Sequence, residues 1–233
     1  MTVEITPIQG IGDINPGDDL AEIFLSALDA AQFSLQDRDV LVVTHKAVSK
    51  AENAIVRFDE DEDVRRQVVA DQAVAVLRRR GDLVITETRH GFICANAGVD
   101  RSNMPKGWLA LLPHDPDRSA HRLRTRIHQA TGAEVAVVIS DTFGRPWRRG
   151  LTDVAIGIAG LPALVDYRGT TDTFDRTLTV TEVALVDEVA AAADLVMGKA
   201  NGVPLAVVRG LEYPTGEGRA TDLVRPADED MFR

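Results

Sequence analysis

Residues 134–150 read EVAVVISDTFGRPWRRG, and here the chain changes from apolar to reactive. Ser140, Asp141 and Thr142 follow a buried run, so a carboxylate and two hydroxyls stand at its end, suited to a hard cation. Arg145, Arg148 and Arg149 follow within a few residues around Trp147, and guanidinium groups take phosphate oxygens. Together they suggest a metal–phosphate site; a polar turn with a solvated basic patch is the plainer alternative. Other segments carry related chemistry. Gly10 and Gly12, in the loop 9–17, would let backbone N–H groups approach a phosphate. That loop lacks the Gly-Lys-Ser/Thr ending of a P-loop, and an ordinary turn explains it equally well. His45, Lys46, Ser49 and Lys50 suit phosphate contacts or a plain surface. His45 has no second histidine at ligand spacing. Asp100, Ser102 and Asn103 could converge on one ion, or simply make a turn. Residues 215–219, Thr-Gly-Glu-Gly-Arg, form a glycine-flanked acid–base cluster.

The elements that must position these groups alternate between two periods. Apolar, β-branched runs at 40–43, 135–139 and 203–208 are too short for helices and read as buried strands. Residues 3–8, 83–86, 91–95 and 109–112 read as further strands. Helical spacing predicts a helix over 20–33, capped by Asp18 or Asp19. A second is predicted over 62–80, with Arg78, Arg79 and Arg80 complementing the dipole at its end. A third opens at Asp115-Pro116 and stops at Gly132. A fourth, over 180–197, has Thr179 and Glu182 as a capping box. Strands alternating with helices make the class mixed α/β, here read as one unit over 1–233.

Composition sets limits. The chain has 233 residues, 45 % of them apolar, enough to bury a sizeable core. A net charge of −10 argues against a general nucleic-acid binder. The single cysteine, Cys94, rules out an intrachain disulfide and fits a reducing cytoplasm; it reads as a small core residue. No signal peptide or membrane-spanning run is apparent.

In combination, the pieces AGVDRSN (97–103), SDTFGRPWR (140–148) and TEVALVDEVAAAADLVMGKA (181–200) resemble the coenzyme F420-0:L-glutamate ligase (F420 γ-glutamyl ligase) family, in a standalone form without the C-terminal reductase-like domain. The resemblance spans nearly the whole chain and implies a family-specific fold in an intertwined homodimer. It also implies an activity: GTP phosphorylates a carboxyl group of F420-0, and L-glutamate attacks the acyl phosphate. A further γ-linked glutamate can follow. Asp100 and Asp141 then look like ligands of one divalent ion, magnesium or manganese, and Thr142 of a second; potassium is a further candidate ion. Ile11, Gly12, Asp13, Ile14, His45, Lys50 and Asn103 match nucleotide-contacting positions, although His45 stands where some relatives carry serine. By residue chemistry, Gly216, Glu217, Gly218 and Arg219 are expected to close over the nucleotide, with Glu217 near the second metal. Arg145 and Arg148 are expected, with Asp141, to serve the reacting groups. A metal-dependent phosphohydrolase and a non-catalytic nucleotide-binding subunit are the rival readings.

Overall fold

The computed structural model describes residues 2–231. Its elements begin with strand Glu4–Ile8 (β1), helix Leu20–Ala30 (α1), strand Val40–Thr44 (β2), helix His45–Ala51 (α2) and strand Ile55–Arg57 (β3). Helix Glu62–Gln72 (α3) leads into strands Ala73–Arg80 (β4), Leu83–Thr88 (β5), Ile93–Ala95 (β6) and Trp108–Ala110 (β7). Then come helix Pro116–Thr131 (α4), the long strands Ala136–Arg145 (β8) and Arg148–Ala159 (β9), and the short Val165–Asp166 (β10) and Glu182–Val183 (β11). Helix Leu185–Met197 (α5) and strand Leu205–Arg209 (β12) complete the order. The class is mixed α/β, as the alternating pattern predicts.

The three uninterrupted apolar runs become β2, β8 and β12, all inside a five-stranded sheet of order β1-β12-β2-β8-β9. Only β2 and β8 run parallel; the other pairs are antiparallel. These runs lack alternation because both faces of the sheet are covered. Leu41, Val43, Val137, Ile139, Leu205 and Val207 share a core with Phe24 and Leu28 of α1 and with Leu123 and Ile127 of α4. Their neighbours Val40, Val42, Ala136, Val138, Ala206 and Val208 pack on the other face, with Val186, Val189 and Ala193 of α5.

Helix starts follow local chemistry. Asp19 caps α1 through the N–H groups of Ala21 and Glu22. Asp115 caps α4, Pro116 opens it, and Gly132 ends it at φ 77°. Acids near two helix starts also protect the edge strand. Asp117 of α4 accepts the Ile158 N–H and Asp187 of α5 the Ala155 N–H, both at 2.8 Å, covering donors that β9 would otherwise leave open. Burial raises both carboxyls above their ordinary range against the pull of those hydrogen bonds.

Two expected elements differ. The helix predicted over 62–80 stops at Gln72, and Ala73–Arg80 is a strand paired with β5 from Ala73↔Thr88 to Arg80↔Leu83. The cause is the two-residue turn Gly81-Asp82, with Gly81 at φ 61°, where short hairpin loops favour glycine. Val68 and Val69 are buried, Val64 and Val76 are exposed, and the three arginines lie on a strand, not at a helix end. The helix predicted over 180–197 begins only at Leu185, so the Thr179/Glu182 capping box does not form. Glu182 and Val183 instead pair with Asp166 and Val165, and Glu182 meets Arg168 at 3.0 Å. Asp187 and Glu188 supply negative charge to the first turn.

The last strand is clamped to the second by an ion pair. Asp39 is 1 % exposed, and Arg209 holds both its carboxylate oxygens, through Nε at 2.8 Å and Nη2 at 2.6 Å. The same guanidinium lies 4.6 Å from the Phe33 ring centroid. Removing one partner of such a pair leaves a buried charge uncompensated, at a cost of about 3 kcal/mol. Arg209→Ala is therefore predicted to lower the urea unfolding free energy by about that amount. A loss near zero would mean that the pair does not hold β12 against β2.

Candidate functional site

The site arises from a mismatch in strand length. Thr44 ends β2 opposite Ser140, but β8 runs on to Arg145 with β9 alongside it. Beyond Ser140, β8 has no neighbour on the β2 side, and a cleft of about 520 Å³ opens there. The segment 11–14 lines it, as do Lys46 and Lys50 of α2, Asn103, Asp153 of β9, and Lys199 in the loop after α5. A cleft of about 600 Å³ between α1, α2 and α4 is slightly larger. Arg122 and Arg126 in it are ion-paired with Glu52 and Asp19, and it is the smaller cleft that the expected site residues line.

Alternation along β8 sends its polar residues to opposite faces. Asp141 continues the side of Val137 and Ile139; Ser140 and Thr142 continue that of Val138. On the first side Asp141 meets His45, the buried first residue of α2, with Oδ1 3.2 Å from Nε2. The two atoms are close but not aligned for a hydrogen bond, which leaves the buried Nε2 without a partner. The second residue of α2, Lys46, reaches Asp100 at 2.8 Å. Asp100 also accepts the Ser102 N–H and hydroxyl, and its backbone is bridged to Ala110. Burial alone would raise the Asp100 carboxyl, but Lys46 and Ser102 outweigh it and hold it below the usual carboxylate range. Adjacent residues of α2 thus link the loop of Asp100 to the strand of Asp141.

On the second side stands Asp153, 4 % exposed and directly across from Thr142. A β-bulge between Ile139 and Ser140 shifts the facing of β9, which puts Asp153 and Thr142 on one side. Asp153 accepts from Ser140 Oγ at 3.0 Å and Thr142 Oγ1 at 2.6 Å. The Lys199 ammonium reaches Asp153 at 2.6 Å, Thr142 Oγ1 at 2.7 Å and Asp194 of α5 at 2.7 Å. Desolvation would lower the Lys199 ammonium; its two carboxylate partners more than reverse that and hold it above the usual lysine range. Asn103 donates to the Lys199 carbonyl at 3.3 Å, which ties the Asp100 loop to this side as well.

Most of the expected site residues therefore converge. Ile11, Gly12, Asp13, Ile14, His45, Lys50, Asn103, Asp141 and Thr142 line one cleft, and Asp100 adjoins it through Lys46. Lys50 has no acid within ion-pair distance among the described residues. Arg145 and Arg148 sit apart from that lining, paired across the tip of the β8–β9 hairpin around Pro146 and Trp147. Arg145 donates to the Arg149 carbonyl at 2.5 Å. Gly216, Glu217, Gly218 and Arg219 lie elsewhere too. Glu217 accepts the Gly160 N–H at 3.0 Å, past the far end of β9 and about 20 Å along the strand from Asp153. Within one chain these residues do not meet Thr142. Asp153, Asp194 and Lys199 received no role in the sequence reading. The available signals were an acid opening the apolar run 154–159 and a lysine between Gly198 and Gly202. Cys94 is buried as predicted, and burial together with the Asp141 charge pushes its thiol up to about 12, leaving it protonated.

The donors on both sides are carboxylate and hydroxyl oxygens, the ligand type of magnesium and manganese. Among the described residues no three His, Cys, Asp or Glu side chains converge on one point, so an ion here would need oxygens from a ligand or water to complete its shell.

Residues 10–210 match the family model described as F420-0:Gamma-glutamyl ligase. A coenzyme F420:L-glutamate ligase of Methanopyrus kandleri is 42 % identical, covering all of this chain and 98 % of that protein. One of Methanothermobacter thermautotrophicus is 40 % identical over the whole of both chains. One of Methanocaldococcus jannaschii is 41 % identical over 91 % of each. The chain belongs to the F420-0:gamma-glutamyl ligase family.

Proposed function

We propose that this chain adds L-glutamate to coenzyme F420-0, using GTP and forming an acyl phosphate on the way. The relatives' names support the ligase activity. The observation that carries the rest is the meeting, around one cleft, of phosphate-type and cation-type groups: the loop 11–14 and Lys50 beside Asp141, Thr142 and Asp153.

The chemistry explains why such groups are needed together. A carboxylate resists amine attack because its leaving group would be an oxide. An oxygen of the F420-0 carboxylate attacks the γ-phosphorus of GTP, and GDP departs. The glutamate amine then attacks the acyl carbon, the C–O bond to phosphate breaks, and the amine loses a proton as the amide forms. Little covalent work falls to the protein, which must align the reactants and balance the phosphate charge. Asp141 with Asp100, and Thr142 on the other face, would hold divalent ions whose charge stabilises the transferring phosphoryl group. His45, packed 3.2 Å from the Asp141 carboxylate, would flank it in the cleft. Lys50 offers a point charge to phosphate, and Asn103 and the 11–14 backbone offer hydrogen bonds. Arg145 and Arg148, exposed on the hairpin, would meet the anionic F420-0 from outside the cleft by their charge. A homodimer would give the exposed Trp147 and Leu151 of that hairpin a surface to cover.

The direct test is mass spectrometry of F420-0 after incubation with the protein, GTP, magnesium and glutamate. A glutamyl adduct that requires all four additions is expected. Rapid GTP hydrolysis without glutamate and without adduct would favour the phosphohydrolase reading.

Two substitutions probe the roles. Asp141→Ala is predicted to lower kcat/KM by about 100-fold or more while circular dichroism stays native. Near-normal turnover in that variant would remove Asp141 from the chemistry. Lys50→Ala is predicted to raise the KM for GTP about tenfold with a smaller change in kcat, because its contact serves binding. An unchanged GTP dependence would contradict a phosphate contact.

A further inference from the structure

Lys199 occupies the position that a cation would take on the Thr142 side. An ammonium has three N–H donors, and all three are used: on Asp153, Asp194 and Thr142 Oγ1, at 2.6–2.7 Å. Asp153 is almost wholly buried, and a buried carboxylate without a counter-charge is costly. Its other two partners, Ser140 and Thr142, are neutral hydroxyls. The Lys199 side chain, by contrast, is 56 % exposed. It sits in a loop between Gly198 at φ 62° and Gly202 at φ 65°, and that loop lines the cleft. The acid is fixed in the sheet; the lysine can leave without disturbing the core.

We propose that Lys199 is a tethered counter-ion for Asp153 and Asp194, filling a divalent-cation position until the ion displaces it. The inference rests on the proposed metal role of Thr142 and extends it to residues of the opposite strand and of α5. Displacement has two consequences. The divalent ion must compete with a cation that the chain carries at high effective concentration, so binding without nucleotide is weakened. The released ammonium is then free on the cleft wall, where the nucleotide phosphates would lie.

The experiment measures Mn²⁺ binding to the full chain without nucleotide, reading free Mn²⁺ by electron paramagnetic resonance. Native protein is compared with Lys199→Met, which keeps the aliphatic stem, and Lys199→Arg, which keeps the charge. Lys199→Met is expected to bind Mn²⁺ about fivefold more tightly than native, the equivalent of one ion pair near the surface. Lys199→Arg is expected to stay near native. In chelator, Lys199→Met should melt below native, and saturating Mn²⁺ should raise its melting temperature more than it raises that of native. A purely structural lysine would lower the melting temperature without tightening Mn²⁺ binding. Equal or weaker Mn²⁺ affinity in Lys199→Met, or equal tightening in Lys199→Arg, would overturn the counter-ion role while leaving the proposed function in place. No Mn²⁺ binding by any of the three, with or without GTP, would overturn the metal reading and this inference with it.

Discussion

The arrangement depends on one constraint: β2 stops at Thr44 while β8 and β9 continue. A central strand that ends early uncovers one edge of its neighbour just where the sequence turns from apolar to polar. Because side chains alternate on a strand, Asp141 and Thr142 leave that edge on opposite sides. Each side then needs its own balancing charge. The first has the start of α2, where Lys46 pairs with Asp100 beside it. The second has the end of α5, which brings Asp194 and Lys199. The bulge between Ile139 and Ser140 is what turns Asp153 toward the second. The sheet thus acts as a ruler, and the distances among acids from separate segments follow from strand ends and register.

An acidic chain of net charge −10 faces a difficulty in holding a polyphosphate. Long-range repulsion is screened over about 8–10 Å at physiological salt, so local charge decides. Locally, Lys46, Lys50 and Lys199 line the same cleft as Asp141 and Asp153. Lys46 and Lys199 are neutralised by acids within the protein, while Lys50 has none within reach among the described residues. In the proposed reading, divalent ions carry the rest of the positive charge, and the acids select for them.

What the sequence discloses follows from where the forces are local. The buried strands at 40–43 and 135–139 are legible because covering both sheet faces demands unbroken β-branched runs. The ends of α4 are legible because Asp115 and Pro116 at one end, and Gly132 at the other, each act within one turn. The error over 62–80 has the opposite origin. Ala, Val, Gln and Arg tolerate a helix, and pairing with β5 through the Gly81-Asp82 turn overrides that preference. The capping-box pattern at Thr179 likewise loses to pairing between β10 and β11. At the site, the segment 11–14, Asp100, Asp141 and Thr142 were visible through motifs. Asp153, Asp194 and Lys199 were not, since nothing in the order of residues reports the bulge that turns Asp153 or the packing that brings the end of α5 beside it. The segment 216–219 looked suitable by composition, but its hydrogen bonds to Gly160 and Leu161 anchor it at the other end of β9.

The central claim is that oxygen ligands on the two faces of β8 hold cations that grip a nucleotide triphosphate. Anomalous diffraction from crystals grown with Mn²⁺ and a non-hydrolysable GTP analogue tests it most directly. The account predicts manganese peaks beside Asp141 and beside Thr142, both touching phosphate oxygens within the cleft that Lys50 lines. Manganese bound elsewhere, or nucleotide density lying away from that cleft, would contradict it.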